Sequence, residues 1–286
     1  MLAALEGARE AGRIQMRFYD RAGQDHNCLN ITMKPDEVTT VSPVTDADVA
    51  VHDYLMAFIK KLTPRIPAIS EENKNHPVIP RNGRFWCIDP LDGTKEFIDR
   101  TGAFTVNIAL MDQFQPVLGI VHNPALRTTF FTHDGHPAWK RGPDDVVKEI
   151  TSRKAAPSLT TLFNAKHGKL SVYEAGRIHL NGSGLNLPEL PDGEPGLPRG
   201  LRVAEGSADI FADFGHHINF KGGNGYSWDY APTDLIIRNA GGMIFQIIDG
   251  RPPCYTDPTQ RMNAMISIGD KELGKKVAAW CENRCQ

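Results

Sequence analysis

The chain has 286 residues, 41% hydrophobic and 23% charged, and is long enough to bury a sizeable core without disulfide or metal staples. Its 32 Lys and Arg against 34 Asp and Glu give a formal net charge of −2, which carries no footprint of a nucleic-acid polymer or an anionic membrane surface. The five cysteines (Cys28, Cys87, Cys254, Cys281, Cys285) form no Cys-x-x-Cys pair, which argues for a reducing compartment and against a zinc site or a disulfide framework.

In chain order, residues 1–20 read as an amphipathic helix carrying Leu2, Leu5, Ile14 and Phe18 among small residues. Residues 21–43 read as a polar, irregular stretch. A second helix is expected from Asp46, with Val51, Leu55, Phe58, Ile59 and Leu62 apolar and Pro64 stopping it. A short strand follows, ending at Ser70-Glu71-Glu72. Phe85–Ile88, Phe104–Met111, Pro116–Val121 and Thr128–Thr132 then read as strands of a meander. Beyond residue 155 strands and helices alternate: Thr160–Phe163, Ile178–Leu180, Ala208–Phe211 and Met243–Ile248 are expected strands, and Leu235–Ala240 a helix ended by Gly241-Gly242. Residues 187–200, rich in Pro and Gly, and Gly215–Ser227 read as loops. Helix pair, meander and alternation together give an α+β class, divided as 1–153 and 154–286. No leader with a basic start and an apolar core opens the chain, and no apolar run approaches the length of a bilayer span. The expected setting is therefore the cytoplasm, with no integral membrane segment.

One run concentrates the chemistry: Trp86-Cys87-Ile88-Asp89-Pro90-Leu91-Asp92-Gly93-Thr94-Lys95-Glu96-Phe97. An apolar strand is expected to stop at Pro90, which lacks an N–H and fixes its own φ. Two carboxylates and a main-chain carbonyl then make an oxygen-only ligand set, which selects Mg²⁺, Mn²⁺ or Ca²⁺ over zinc. Gly93-Thr94 opens a helix whose free N–H groups can hold a phosphate beside the metal. A bare Asp-Gly is more often an ordinary turn, and Glu71, Asp48 and Asp229 taken singly read as a solvated loop acid, a first-turn helix acid and an N-terminal cap.

The segment WCIDPLDGTKEFI resembles the first signature of the inositol monophosphatase superfamily, and its Lys-Glu-Phe-Ile extension is most similar to the 3'(2'),5'-bisphosphate nucleotidase branch. SPVTDAD (Ser42–Asp48), SEEN (Ser70–Asn73) and SWDYAPTDLIIRNAGG (Ser227–Gly242) resemble further segments of that family in the same order. The resemblance implies a layered α/β/α/β/α sandwich, with the active site between two subdomains. It implies Glu71, Asp89, Asp92, the Leu91 carbonyl and Asp229 as ligands for roughly two or three Mg²⁺ ions, with Mn²⁺ as a substitute. Catalysis would fall to Asp48, Thr94 and Glu71, with Thr94 oriented by Asp48 to help activate water, and lithium would inhibit. The implied activity is hydrolysis of adenosine 3',5'-bisphosphate to AMP and phosphate, which serves sulfur metabolism. The partner would be a small phosphorylated metabolite, and the protein a monomer or homodimer.

For the substrate, Gly93 and Thr94 would face phosphate, and His167 stands where the branch carries a Ser-Arg-Ser-His-like segment. Asn181-Gly182-Ser183-Gly184-Leu185-Asn186 resembles a nucleotide-contacting segment, with Gly182 and Ser183 in place and Asn186 where a lysine is common. Asp213 stands where the nucleotidases carry a basic residue; it reads equally as a surface acid or as an acceptor for sugar hydroxyls. Two alternatives follow: an inositol- or sugar-phosphate phosphatase of the same superfamily, and a non-catalytic metal- or phosphate-binding module.

Overall fold

The computed structural model describes residues 1–23, 29–36, 40–73, 75–79, 81–155, 159–164, 170–185, 199–214, 223 and 225–284. By internal contacts the chain divides into two compact units, one taking in residues 1–134 and 139–148, the other chiefly 149–194 and 199–286.

The first unit packs two helices on a sheet. Helix α1 (Leu2–Ala22) buries Ala4, Leu5, Ala8, Ala11 and Ile14 along one face at spacings of three and four. Its small residues admit close neighbours: a Cβ on Gly7 would lie 2.5 Å from the Phe58 ring of α2 (Asp46–Leu62). Helix α2 begins with a reciprocal cap, the Thr45 side chain accepting from Ala47 N while the Asp48 carboxylate accepts from Thr45 N. It ends at Thr63, before Pro64. Strands β1 (Thr32–Asp36) and β2 (Thr40–Val44) form an antiparallel pair with Thr32 opposite Val44. The main sheet runs in the order β3 (Ala68–Ser70), β4 (Arg84–Asp92), β5 (Thr105–Asp112), β6 (Gln115–Asn123), β7 (Thr128–His133), β8 (Ala138–Arg141), β9 (Val147–Ile150). Strand β3 is parallel to β4, and β4 through β8 are antiparallel neighbours. Helix α3 (Thr94–Ile98) follows β4. Val51, Leu55, Ile88, Val106 and Ile120 are fully buried between helices and sheet, each contributing about 1.5–3 kcal/mol.

The second unit is built on a four-stranded sheet, in the order β10 (Thr161–Asn164), β11 (Ile210–Asp213), β13 (Met265–Ile268), β12 (Met243–Gln246). Its helices are α4 (Leu170–Asn181), α5 (Arg199–Ala204), α6 (Ser227–Asn239) and α7 (Lys271–Arg284). Phe163, Leu180, Ile210, Phe214, Phe245, Ile266 and Val277 form its core.

Several elements differ from the sequence expectation, each for a local reason. The stretch 21–43 holds a hairpin; Met33 is 57% exposed, so its apolar side chain marks no buried face. Strand β4 does not stop at Pro90 but continues to Asp92 through a bulge, where a missing N–H costs no ladder bond. Ile178–Leu180 lies in α4 and not in a strand: Ile178 is 65% exposed while Leu180 is buried, although residues two apart share a face in a strand. Helix α6 starts at Ser227, well before Leu235: Pro232 sits inside it and not at its boundary. Strand β11 runs 210–213, two residues beyond the expected 208–211. The 187–198 part of the Pro/Gly-rich stretch lies outside the described residues. Cys87, Cys254 and Cys281 are free thiols, and among the described residues no helix is long and apolar enough to cross a membrane.

Candidate active site

In a regular strand, residues three apart point to opposite faces. Between Asp89 and Asp92 strand β4 advances three residues where β5 advances two, Asp89 standing opposite Asn107 and Asp92 opposite Thr105. This bulge restores parity and brings the two carboxylates to one side, with oxygens within 4.8 Å of each other. The loop is held from several directions. Leu91 N donates to Asp89 Oδ1 at 2.9 Å, closing a turn around Pro90. The buried Gln15 of α1 donates through Nε2 to the Pro90 carbonyl at 2.8 Å. Asn107 Nδ2 donates to Asp92 Oδ2 at 3.1 Å, with its own Oδ1 accepting from Thr105 Oγ1 at 2.8 Å. Gly93 then turns the chain at φ 87°, where an added Cβ would also meet the Ala103 carbonyl at 2.8 Å.

Helix α3 begins at Thr94, as expected, and delivers its hydroxyl to Asp48. Thr94 Oγ1 lies 3.1 Å from Asp48 Oδ1 and 3.2 Å from the Leu91 carbonyl, so its one proton has two acceptors. The other Asp48 oxygen accepts from both the amide and the hydroxyl of Thr45, each at 2.7 Å. Burial pushes the Asp48 carboxyl up to about 7; the Thr45 hydrogen bonds oppose the rise, and Glu72 and Glu71 add to it. Glu71 follows β3, its amide donating to the Ile88 carbonyl at 3.1 Å. Lys34 of β1 bridges Glu71 and Glu72, its Nζ 2.7 Å from an oxygen of each. Burial alone would lower the Lys34 pKa, but the two glutamates outweigh it and hold the ammonium charged. Burial, then the Glu71 charge, raises the Glu72 carboxyl, and Lys34 moderates both effects.

In the second unit Asp229 occupies the first turn of α6, where its Oδ2 accepts from Tyr226 N at 2.6 Å. Asp213, at the end of β11, is buried and not a surface acid, and accepts from Tyr230 Oη at 2.7 Å. Burial, and then Asp213, raise the Tyr230 phenol well above its usual range. Gly182 and Ser183 form the turn after α4: a Cβ on Gly182 would lie 2.5 Å from the Trp280 ring, and Ser183 Oγ donates to the Leu180 carbonyl at 2.6 Å. His167 and Asn186 lie outside the described residues.

Lys34, Thr45, Asn107 and Gln15 are supporting residues that the sequence reading missed. Only Thr45 had a signal, three residues before Asp48 in a capping spacing. The first unit suits a hard divalent cation. Its donors are all oxygen, the Asp89 and Asp92 carboxylates converge, and the Leu91 carbonyl keeps a lone pair beyond the Thr94 bond.

Comparison with known proteins agrees. A family model described as the inositol monophosphatase family matches residues 3–280. The chain is 34% identical over 260 residues to the 3'(2'),5'-bisphosphate nucleotidase CysQ of Escherichia coli O157:H7, covering 90% of this chain and 94% of that one. It is 32% identical over 281 residues to CysQ of Aggregatibacter actinomycetemcomitans, covering 93% and 90%. Among solved structures, CysQ from Bacteroides thetaiotaomicron superposes with a TM-score of 0.69 at 25% identity over 94% of this chain and 96% of that one. The suppressor protein SuhB from Bartonella henselae superposes with a TM-score of 0.71 at 20% identity over 99% and 98%, a likeness of fold. The expected fold therefore stands, and with it the class of metal-dependent phosphomonoesterase. The convergent aspartates of the β4 bulge, the Thr94–Asp48 pair and a match from residue 3 to residue 280 lead to one assignment: the chain belongs to the inositol monophosphatase family.

Proposed function

We propose that the chain is a Mg²⁺-dependent 3'(2'),5'-bisphosphate nucleotidase that hydrolyses adenosine 3',5'-bisphosphate to AMP and inorganic phosphate. The observation that carries the substrate is the identity of about one third to CysQ nucleotidases over nine-tenths of the chain. A cytoplasmic role in sulfur metabolism is consistent with that substrate.

Glu71, Asp89, Asp92 and the Leu91 carbonyl are the proposed ligands, and Asp229 is assigned to the same set on the strength of its motif alone. Divalent ions held there would supply positive charge for the phosphoryl oxygens and would make water more acidic near neutral pH. The protein's own part is positioning and proton control. Thr94 Oγ1 accepts a hydrogen bond from the attacking water while donating its proton to Asp48 Oδ1, which orients a water lone pair toward phosphorus. That arrangement needs Asp48 ionised, and the two Thr45 donors favour that state. Asn107 and Gln15 keep the β4 bulge fixed, so the carboxylates need little reorganisation. Lys34 pairs with both glutamates, so it would keep Glu72 as a partner if Glu71 served as a metal ligand. Gly93, Thr94, His167, Gly182, Ser183, Asn186 and Asp213 are the proposed substrate contacts.

Asp213 favours a second reading. Its buried carboxylate, with one oxygen on Tyr230, presents an acceptor and not a cation, which suits the hydroxyls of an inositol or sugar phosphate. Phosphate release with Mg²⁺ across adenosine 3',5'-bisphosphate, inositol 1-phosphate and sugar phosphates separates the two. The bisphosphate should have the highest kcat/KM. An advantage of about tenfold or more for inositol 1-phosphate, ~1.4 kcal/mol in transition-state preference, would replace the first reading by the second.

A further inference from the structure

Away from the carboxylates, α1 and the β6–β7 turn enclose a cavity of about 420 Å³. Arg9, Arg13 and Arg17 reach it from α1, Arg127 from the turn and Arg141 from β8, against two lining acids, Asp20 and Asp145. Cations at i, i+4 and i+8 on one helix face repel, and each adjacent like-charge pair costs about 0.2–0.5 kcal/mol. Three of the five arginines have acidic partners: Arg9 with Asp145 at 2.9 Å, Arg13 with Glu10 at 2.5 Å and Arg141 with Glu6 at 3.7 Å. Arg17 and Arg127 are exposed, and their guanidinium groups have no acidic partner among the described residues. Arg127 also holds its backbone at φ 52°, a left-handed conformation that glycine or asparagine usually takes and that costs an arginine about 1 kcal/mol. Like charges crowded along one helix face and backbone strain at a further arginine meet in one cavity, and that combination points to function there.

The floor is preformed. His122 is buried, hydrogen-bonds through Nδ1 to Thr129 Oγ1 at 2.9 Å, and packs so closely on Gly12 that a Cβ there would sit 2.6 Å from its ring. Met16, Pro124 and Ala125 give an apolar wall. The volume lies in the range of small-ligand pockets. Guanidinium groups recognise phosphate through forked, charge-assisted hydrogen bonds. Gln15, which holds the Pro90 carbonyl, lies off the 9-13-17 stripe, so the cavity and the metal loop engage different faces of α1.

We propose that this cavity is a second binding site for a small phosphorylated metabolite, anchored by Arg17 and Arg127 and separate from the carboxylate site. The test is calorimetric titration of inorganic pyrophosphate into the EDTA-treated full chain at low and at moderate salt. The proposal expects one site per chain that weakens with salt, loses roughly tenfold or more in affinity in R17A/R127A, and persists in D92N. R17A/R127A should also turn over adenosine 3',5'-bisphosphate with Mg²⁺ like the parent. Absence of binding up to millimolar pyrophosphate, binding that R17A/R127A leaves intact, or binding lost in D92N would each overturn it. A fall in turnover of R17A/R127A would assign the arginines to the catalytic site and overturn the separateness claimed.

Discussion

Asp48 carries a stability cost that can be measured. Its carboxylate is buried in the first turn of α2, with Thr45 donating to one oxygen and Thr94 to the other. Burial nevertheless lifts its pKa from 3.8 to about 7. Asp48→Asn keeps the shape: the amide oxygen accepts from Thr45 N, and the NH₂ faces the Thr94 hydroxyl, which can accept. The rise spans about three pH units at about 1.4 kcal/mol each, so the ionised carboxylate costs the folded state about 4 kcal/mol. Below pH 3.8 both states hold the proton and the cost is absent. As pH rises the unfolded chain loses the proton first, so the wild type loses stability relative to the variant until the folded pKa is passed. In EDTA, urea unfolding should therefore show the variant gaining on the wild type by about 3 kcal/mol between pH 5 and pH 8. Turnover with Mg²⁺ should fall by about 10²–10⁴-fold, because an amide cannot take the Thr94 proton. A stability difference that stays flat with pH, or that favours the wild type at pH 8, would refute the assignment of burial as the dominant influence on this carboxylate.

Thr94→Val removes the hydroxyl and keeps the volume; kcat should drop about 10²-fold or more, with KM and the thermal midpoint little changed in parallel kinetics and melting curves. Gly93→Ala forces a methyl to within 2.8 Å of the Ala103 carbonyl at φ 87°, so denaturant unfolding should show a loss of about 2–4 kcal/mol. Burial, reinforced by Arg9, Arg13 and Arg141 against a weaker backbone hydrogen bond, pulls His122 down from 6.5 to about 4. The unfolded chain then takes a proton that the folded one refuses, so stability falls as pH drops below 6.5. His122→Gln should flatten that slope between pH 7 and pH 5, and an unchanged slope would clear His122 of it.

The acids proposed for the site stand out in the sequence because their identities and order form short motifs: Asp48 in the first turn of α2, Glu71 just after β3, and Asp89 and Asp92 at the end of β4. Their supports do not, because support comes from register. Asn107 reaches Asp92 only because β5 pairs antiparallel with β4 at one particular offset, and nothing around residue 107 announces that offset. Lys34 lies on a hairpin with no apolar alternation, so neither the strand nor its reach to Glu71 shows in the pattern. Gln15 sits at a buried position of a helix whose neighbours are Ala11, Gly12 and Ile14; only the fold reveals that the Pro90 carbonyl is its partner.

The spacing of Asp89 and Asp92 works only through the geometry of the strand that carries them. Three residues apart suits a helix, where such side chains meet, but these residues are in a strand, where they should diverge. One extra residue in the ladder removes the conflict, since Asn107 and Thr105, two apart on β5, share a face and their opposite numbers on β4 then share one too. A bulge ordinarily leaves polar backbone groups without ladder partners, and each feature of Asp-Pro-Leu-Asp-Gly answers for one of them. Pro90 brings no donor, its carbonyl accepts from Gln15, Leu91 N is taken by Asp89, and the Leu91 carbonyl receives Thr94. Gly93 supplies the left-handed turn that carries the chain from bulge into helix beside Ala103. The motif is thus a solution to a backbone problem as much as a ligand set, and a substitution that kept both carboxylates but lost Pro90 or Gly93 would leave the acids present and no longer held on one side.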